Sequence, residues 1–327
     1  MKILISIQQP VRAWQIPESC VDTLRQRFPD IAFVHATDPD ARAHGLVDCD
    51  AAFTWILSAA ELATAARLRW LHSSAVAVET MALPELFSRG ITVSNSRGVQ
   101  ATPIAEHVMA VILALAKQLP HALAAQRDSR WTQNEFVGDR LPWLLSGRTL
   151  GLIGVGTIGT AVAQRARAFG MRIVAVRRRA PGEPVAGIDE IRPLDALDSL
   201  LAESDVIVIA APLTPETHRL IGAAQMARMK RGAVLVNVGR AKIIDEGALV
   251  EALRSGHLGG ASLDVYHQEP LPPDDPLWTL PNVVLTPHTS GFRQGHWDHV
   301  IDLFSENLRR FLKGEEVAFR VLPELGY

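Results

Sequence analysis

The segment Thr149-Leu-Gly-Leu-Ile-Gly-Val-Gly-Thr-Ile-Gly159 places three glycines, Gly154, Gly156 and Gly159, directly after an apolar run. That run, Leu150 to Ile153, reads as a buried strand. Thr157 to Phe169 reads as a helix, with Ala161, Val162, Ala166 and Phe169 at helical spacing. Glycines so placed serve a pyrophosphate. Gly154 permits a tight turn, Gly156 lets the backbone approach the phosphates, and Gly159 allows close packing of helix on strand. A glycine-rich turn alone is a weak signal, but its position between a strand and an amphipathic helix makes it specific. The loop Gly154-Val155-Gly156-Thr157-Ile158-Gly159 is therefore expected to hold a dinucleotide.

The next strand, Met171-Arg-Ile-Val-Ala-Val176, runs into Arg177-Arg178-Arg179. Roughly 20 residues beyond such glycines, an NAD-binding chain usually carries Asp or Glu for the adenosine ribose. No carboxylate stands at this strand end. Guanidinium groups bind a 2′-phosphate bidentately where a carboxylate would repel it, so NADP(H) is expected to be preferred, with NAD(H) also admitted. The ordinary alternative is a solvated basic turn leading into Pro181-Gly-Glu-Pro184.

Three polar residues stand in loops that follow strand-like runs. Arg240 lies in Val236-Asn-Val-Gly-Arg-Ala-Lys-Ile-Ile-Asp245, Glu269 in Asp264-Val-Tyr-His-Gln-Glu-Pro270, and His288 in Leu285-Thr-Pro-His-Thr-Ser-Gly291. Loops at the carboxyl ends of parallel strands line the ligand crevice of an open α/β sheet, so these side chains can converge. Singly, each has a plain reading as a loop histidine, a helix pin or a turn cap.

Positioning them requires regular scaffolding, and strand-like and helix-like runs alternate almost throughout. Strands are predicted near Lys2–Ile7, Ala51–Trp55, Trp70–Ser73 and Thr92–Asn95, with a helical run at Ser58–Ala66. Ile104–Leu119 reads as one long apolar helix. From Thr149, strands are predicted at 149–153, 172–176, 206–210, 233–238, 260–264 and 283–285, with helices near 157–169, 223–229 and 245–255. The C-terminal stretch forms an amphipathic helix through Trp297, Val300, Phe304, Leu308 and Phe311, too short for its own domain. Its return to the N-terminal part makes that domain discontinuous: 1–100 with 289–327, against 101–288 for the dinucleotide-binding domain. Between the two halves, Arg127–Ser146 is irregular and carries Trp131 and Trp143. It is expected either to pack on a second subunit or to remain a solvent-facing loop.

Composition bounds the rest. The 327 residues exceed one average domain, and a 48% hydrophobic fraction suffices for a substantial core. A net charge of −2 gives no electrostatic case for nucleic acid or an anionic membrane. The two cysteines, Cys20 and Cys49, form no C-x-x-C, so neither a disulfide framework nor a cysteine metal site is read, and a reducing compartment fits. Met1–Ile7 is too short for a signal segment. The apolar run Val108–Ala116 ends at Lys117 and Pro120, short of membrane-spanning length. A cytoplasmic protein without membrane or nucleic-acid partner is expected.

Together these segments resemble the D-isomer-specific 2-hydroxyacid dehydrogenase family, best its glyoxylate/hydroxypyruvate reductase branch. The resemblance includes Ser73-Ser-Ala-Val-Ala-Val-Glu79, Pro103-Ile-Ala-Glu-His107, Pro212-Leu-Thr-Pro-Glu-Thr217 and the ending Leu325-Gly-Tyr327, and it spans nearly the whole chain. It implies an α/β fold of two domains: a doubly wound parallel-sheet Rossmann cofactor domain and a smaller flavodoxin-like substrate domain formed by both termini. It also implies NAD(P)H-dependent reduction of a small 2-keto acid to the D-2-hydroxy acid, in a homodimer. His288 would protonate the carbonyl oxygen, Glu269 would hold its ring and favour imidazolium, and Arg240 would grip the substrate carboxylate. Backbone amides at Val76 and Ala77 would receive that carboxylate's other side. Pro212, Thr217, Val238 and Asp264 match cofactor-lining positions, whereas Asn237 reads as structural.

Three departures stand out. Arg240-Ala241 replaces the family's Arg-Gly, Arg177 replaces its ribose-binding acid, and Ala75-Val-Ala-Val-Glu79 replaces Gly-Ala-Gly-Val-Asp. The last removes two glycines, which restricts positive φ in the carboxylate-binding loop. Rival functions on the same fold are a short-form phosphoglycerate dehydrogenase and a non-catalytic dinucleotide sensor. A third, formate dehydrogenase, pairs its histidine with glutamine, which Glu269 argues against.

Overall fold

The computed structural model describes residues 1–78, 80–178 and 183–323. Glu79, Arg179 and the ending Leu325–Tyr327 lie outside the described residues. The chain forms two compact units, Met1–Val99 with Phe292–Tyr327, and Gln100–Gly291. Thr289, Ser290 and Gly291 thus belong with His288 in the second unit.

The first unit is built on five parallel strands: β1 (Lys2–Ser6), β2 (Ala32–His35), β3 (Ala51–Thr54), β4 (Trp70–Ser73) and β5 (Thr92–Asn95). Their order, β2-β1-β3-β4-β5, is the flavodoxin-like doubly wound arrangement. β1, β3 and β4 are buried almost along their whole length, which is why they read as continuous apolar runs. β2 leaves no such trace, because it is a half-exposed edge strand. The helix Ala59–Thr64 begins at a capping box in which Ser58 and Glu61 satisfy each other's backbone amides. The C-terminal helix His296–Lys313 lays Trp297, Val300, Phe304 and Leu308 into this unit's core. There Phe304 stacks on Phe53 at 4.3 Å and on Trp70 at 5.2 Å.

The second unit holds seven parallel strands: β6 (Thr149–Ile153), β7 (Arg172–Arg177), β8 (Glu190–Pro193), β9 (Val206–Ile209), β10 (Ala233–Asn237), β11 (Leu258–Leu263) and β12 (Val283–Leu285). The order β12-β11-β10-β9-β6-β7-β8 is a Rossmann sheet with one extra strand. The chain order reverses at β6, and the glycine loop leaves the sheet at that switch point. β8 was not legible as a strand, since Glu190, Arg192 and Pro193 occupy a partly exposed edge.

The helix expected over Ile104–Leu119 is present but stops three residues sooner, and a second helix that was not expected follows it. Ala101–Ala116 ends at Lys117, Gln118 turns left-handed at φ 57°, and Leu119–Arg127 starts anew. The first packs Ile104, Ala105, Val108 and Ile112 with Val162, Ala163 and Ala166 of the helix Thr157–Ala168. Among the described residues no single helix is long and apolar enough to cross a membrane. Of the two tryptophans expected on the arm, Trp143 is partly buried, packing on this core beneath the Arg148 guanidinium at 4.7 Å. Trp131 stands 90% exposed.

His72, fully buried on β4, has Nδ1 2.8 Å from Ser94 Oγ, which also accepts from Trp70 Nε1 at 2.9 Å. Burial pushes its pKa down to about 3. The unfolded chain takes up this proton below about pH 6.5 and the folded chain does not. Stability therefore falls as pH drops from 6.5 towards 3, by about 1.4 kcal/mol per pH unit from this group. Urea unfolding at pH 6.5 and 4.5 should show that loss, and His72→Gln should reduce the difference between the two pH values by about 2 kcal/mol. An undiminished difference would remove His72 as its source.

Candidate active site

The glycine loop is shaped by contacts that admit no side chain. Gly154 adopts φ +103°, and a Cβ there would meet the Ala210 carbonyl at 2.9 Å. A Cβ on Gly159 would lie 2.2 Å from Gly154 O, so the helix sits directly on the turn. Gly156 is different: its missing side chain faces open space at the N-cap of helix Thr157–Ala168. No side chain caps that end, leaving the first-turn amides for an anion. Such a cradle fits the pyrophosphate of a dinucleotide.

The flanking loops come from β7 and β9, the two neighbours of β6. Arg177 closes β7 and Arg178 follows it. After β9, Thr217 Oγ1 donates to Pro212 O at 2.8 Å and accepts from Thr214 N at 2.8 Å, which draws 212–217 into a closed turn. Val238, buried after β10, donates its amide to Ile209 O at 3.1 Å.

Arg240 is set by Asn237, which is buried at the end of β10. Its Oδ1 accepts from Gly239 N at 3.0 Å and its Nδ2 donates to Arg240 O at 3.1 Å. The structural reading of Asn237 thus gains a specific content: it brackets the arginine. Ala241 opens a short 3₁₀ turn, Ala241–Ile243, without positive φ, so the family's glycine is not required there.

Glu269 and His288 meet across loops that follow β11 and β12. His288 Nδ1 lies 2.8 Å from Glu269 Oε2, while Glu269 Oε1 accepts the Tyr266 amide at 3.0 Å. Both carboxylate oxygens are engaged, and the imidazole ring is oriented through Nδ1. The hydrogen bond to Glu269 raises the His288 pKa above its ordinary value; burial and the charge of Arg240 oppose this without reversing it. Burial pushes Glu269 up, but His288, the Tyr266 amide and Arg240 together hold it below the usual carboxylate range. A cationic imidazole beside an anionic carboxylate, in the field of a permanent guanidinium, can deliver a proton to an oxygen and bind a carboxylate. His288 has φ +54°, a left-handed conformation unusual for histidine.

Asp264 keeps that conformation in place. It is 1% exposed, and its Oδ1 accepts from Thr286 Oγ1 at 2.7 Å, Thr289 N at 2.9 Å and Ser290 N at 3.2 Å. The Tyr266 hydroxyl lies 2.8 Å from Thr286 O and 2.9 Å from Leu263 O, which ties the two loops together.

Val76 and Ala77 lie in the first unit, on the loop after β4. Asn95 Nδ2 donates to Val76 O at 2.8 Å, and Ser73 Oγ accepts from Ala75 N at 3.1 Å. None of residues 75–78 adopts positive φ, so the backbone over these residues requires no glycine.

Residues 109–290 match the model of the D-isomer specific 2-hydroxyacid dehydrogenase NAD-binding domain. A glyoxylate reductase of Korarchaeum cryptofilum is 36% identical over 92% of each chain. The chain belongs to the D-isomer specific 2-hydroxyacid dehydrogenases. A D-3-phosphoglycerate dehydrogenase of Methanocaldococcus jannaschii is also 36% identical, over 77% of this chain but only 47% of its own. Among solved structures, a D-isomer specific 2-hydroxyacid dehydrogenase of Xanthobacter autotrophicus in complex with NADPH and MES superposes with a TM-score of 0.83, at 28% identity over 99% of each chain.

In this dehydrogenase, sequence reasoning did not find Tyr266, Thr286 or Glu216, which stands 3.8 Å from Arg178. Tyr266 and Thr286 act through backbone and hydroxyl contacts between loops distant in sequence, which no motif spacing announces. An NMR titration of the His288 ring should give a midpoint above 6.5 in the wild type and a lower one in Glu269→Gln. Equal midpoints would show that Glu269 does not stabilise the imidazolium.

Proposed function

We propose that this dehydrogenase reduces a small 2-keto acid, of the glyoxylate or hydroxypyruvate kind, to the D-2-hydroxy acid, with NADPH preferred over NADH. The carrying observation is the 2.8 Å Glu269–His288 pair in the field of Arg240, on carboxyl-end loops of the sheet that bears the glycine cradle. The glyoxylate reductases among its relatives support the substrate class. The Xanthobacter neighbour holds NADPH, and the basic end of β7 offers Arg177 and Arg178 to a 2′-phosphate.

A dinucleotide held by its pyrophosphate at the 154–159 cradle would supply hydride for the substrate carbon. The chain's own part is binding and proton transfer. Arg240 grips the carboxylate and polarises the carbonyl. His288, protonated and aimed by Glu269, donates its Nε2 proton to the carbonyl oxygen as that oxygen gains charge. Glu269 stabilises the imidazolium before the transfer, so the acid form persists to higher pH than in an isolated histidine. The same chemistry in reverse needs neutral imidazole. We also assign a homodimer to the exposed arm, where Trp131, Val137, Leu141 and Leu144 face solvent in the single chain.

Purified protein should turn over glyoxylate or hydroxypyruvate faster with NADPH than with NADH. His288→Gln should lower kcat by about 10²–10⁴-fold with intact cofactor binding. Reduction should decline as pH rises through the raised His288 pKa, and Glu269→Gln should move that decline to lower pH. Cofactor binding without turnover of any 2-keto acid would leave a dinucleotide sensor instead. Turnover confined to a phosphorylated keto acid would favour the phosphoglycerate dehydrogenase reading.

A further inference from the structure

We propose that Glu216 tempers the selectivity of this dehydrogenase for the 2′-phosphorylated cofactor by opposing the charge of Arg178, so that both nicotinamide dinucleotides remain usable. The inference rests on the reading of Arg177 and Arg178 as the 2′-phosphate site. Because β6 pairs with β7 on one side and β9 on the other, the loops leaving those two strands stand on either side of the glycine turn. Arg178 is the first residue beyond β7, and Glu216 lies in the turn beyond β9. Arg178 Nη1 and Glu216 Oε2 are 3.8 Å apart, with side chains 34% and 52% exposed.

The distance determines how Glu216 acts. At 3.8 Å there is no hydrogen bond, so Glu216 does not fix the guanidinium in a phosphate-ready fork; it acts on Arg178 through charge. The Thr217 hydroxyl closes the 212–217 turn and so fixes the backbone that carries Glu216. The carboxylate stays ionised: the Thr214 hydroxyl, its own backbone and Arg178 all hold Glu216 below the ordinary carboxylate range. A 2′-phosphate carries close to two negative charges near neutrality. To reach Arg178 it must approach a carboxylate already there, and the like charges repel. The 2′-hydroxyl of NADH carries no charge for Glu216 to oppose. Removing the carboxylate therefore strengthens binding of one cofactor and leaves the other unchanged.

The test uses the full chain and a binding readout without substrate. NADPH and NADH are titrated calorimetrically into wild type, Glu216→Gln, Arg178→Gln and the double variant. Glu216→Gln should tighten NADPH roughly three-fold at low salt and change NADH by less than about two-fold. The gain should vanish in the double variant, since it is exerted through Arg178. An unchanged or weakened NADPH affinity in Glu216→Gln, an equal gain for NADH, or a gain that survives loss of Arg178 would each overturn the proposal. Arg178→Gln separates this from the underlying reading. If it leaves NADPH affinity untouched, the assignment of Arg178 to the 2′-phosphate fails and the role of Glu216 fails with it. If it weakens NADPH while Glu216→Gln changes nothing, only the role of Glu216 fails.

Discussion

The buried carboxylate of Asp264 is the interaction on which the site geometry depends. A buried polar group is tolerated only when hydrogen-bond partners replace the lost solvation, and among the described residues one loop supplies donors to Asp264. Thr286, Thr289 and Ser290 turn their hydroxyl and amides towards it, and the chain between them must bend to do so. His288 lies inside that bend, which explains how a histidine is held at positive φ. Once the loop is closed, the imidazole needs only one further contact to be aimed, and Glu269 provides it.

The cofactor end is governed by a different constraint, the absence of side-chain volume. The turn at Gly154 and the near-contact of Gly159 with Gly154 O bring a helix N-terminus to the centre of the sheet. Such a constraint is local, covering a handful of consecutive residues, so a spacing rule captures it. The charged groups proposed to grade one dinucleotide against another are not local. Arg178 and Glu216 come from strands on opposite sides of β6.

The same contrast separates what was legible from what was not. Strands β1, β3, β4, β6, β9 and β10 announced themselves because burial on both faces demands unbroken apolar runs. β8 did not, because its partly exposed edge carries Glu190, Arg192 and Pro193, and β2 is a four-residue edge strand with no buried position to mark it. The helix Leu119–Arg127 was not read, because it buries little beyond Ala125 and so carries no strong apolar stripe. In the candidate site, Arg240, Glu269 and His288 were each visible in a motif. Asn237, Tyr266 and Thr286 were not singled out for the site, because their work is to hold backbone in neighbouring loops.

By itself, the sequence determined the parallel α/β architecture, the dinucleotide cradle and the residue types available for proton transfer. Each of these follows from periodicity or from short-range sterics along one stretch of chain. Only the tertiary structure decided that Glu269 touches His288, that Asp264 closes the histidine's loop, and that a carboxylate faces Arg178. These contacts join residues far apart in the chain, and they depend on strand order and on where each loop leaves the sheet. Electrostatic effects depend on separation in space, screened over about 10 Å, and not on separation in sequence, so they become readable only once the sheet has set its neighbours.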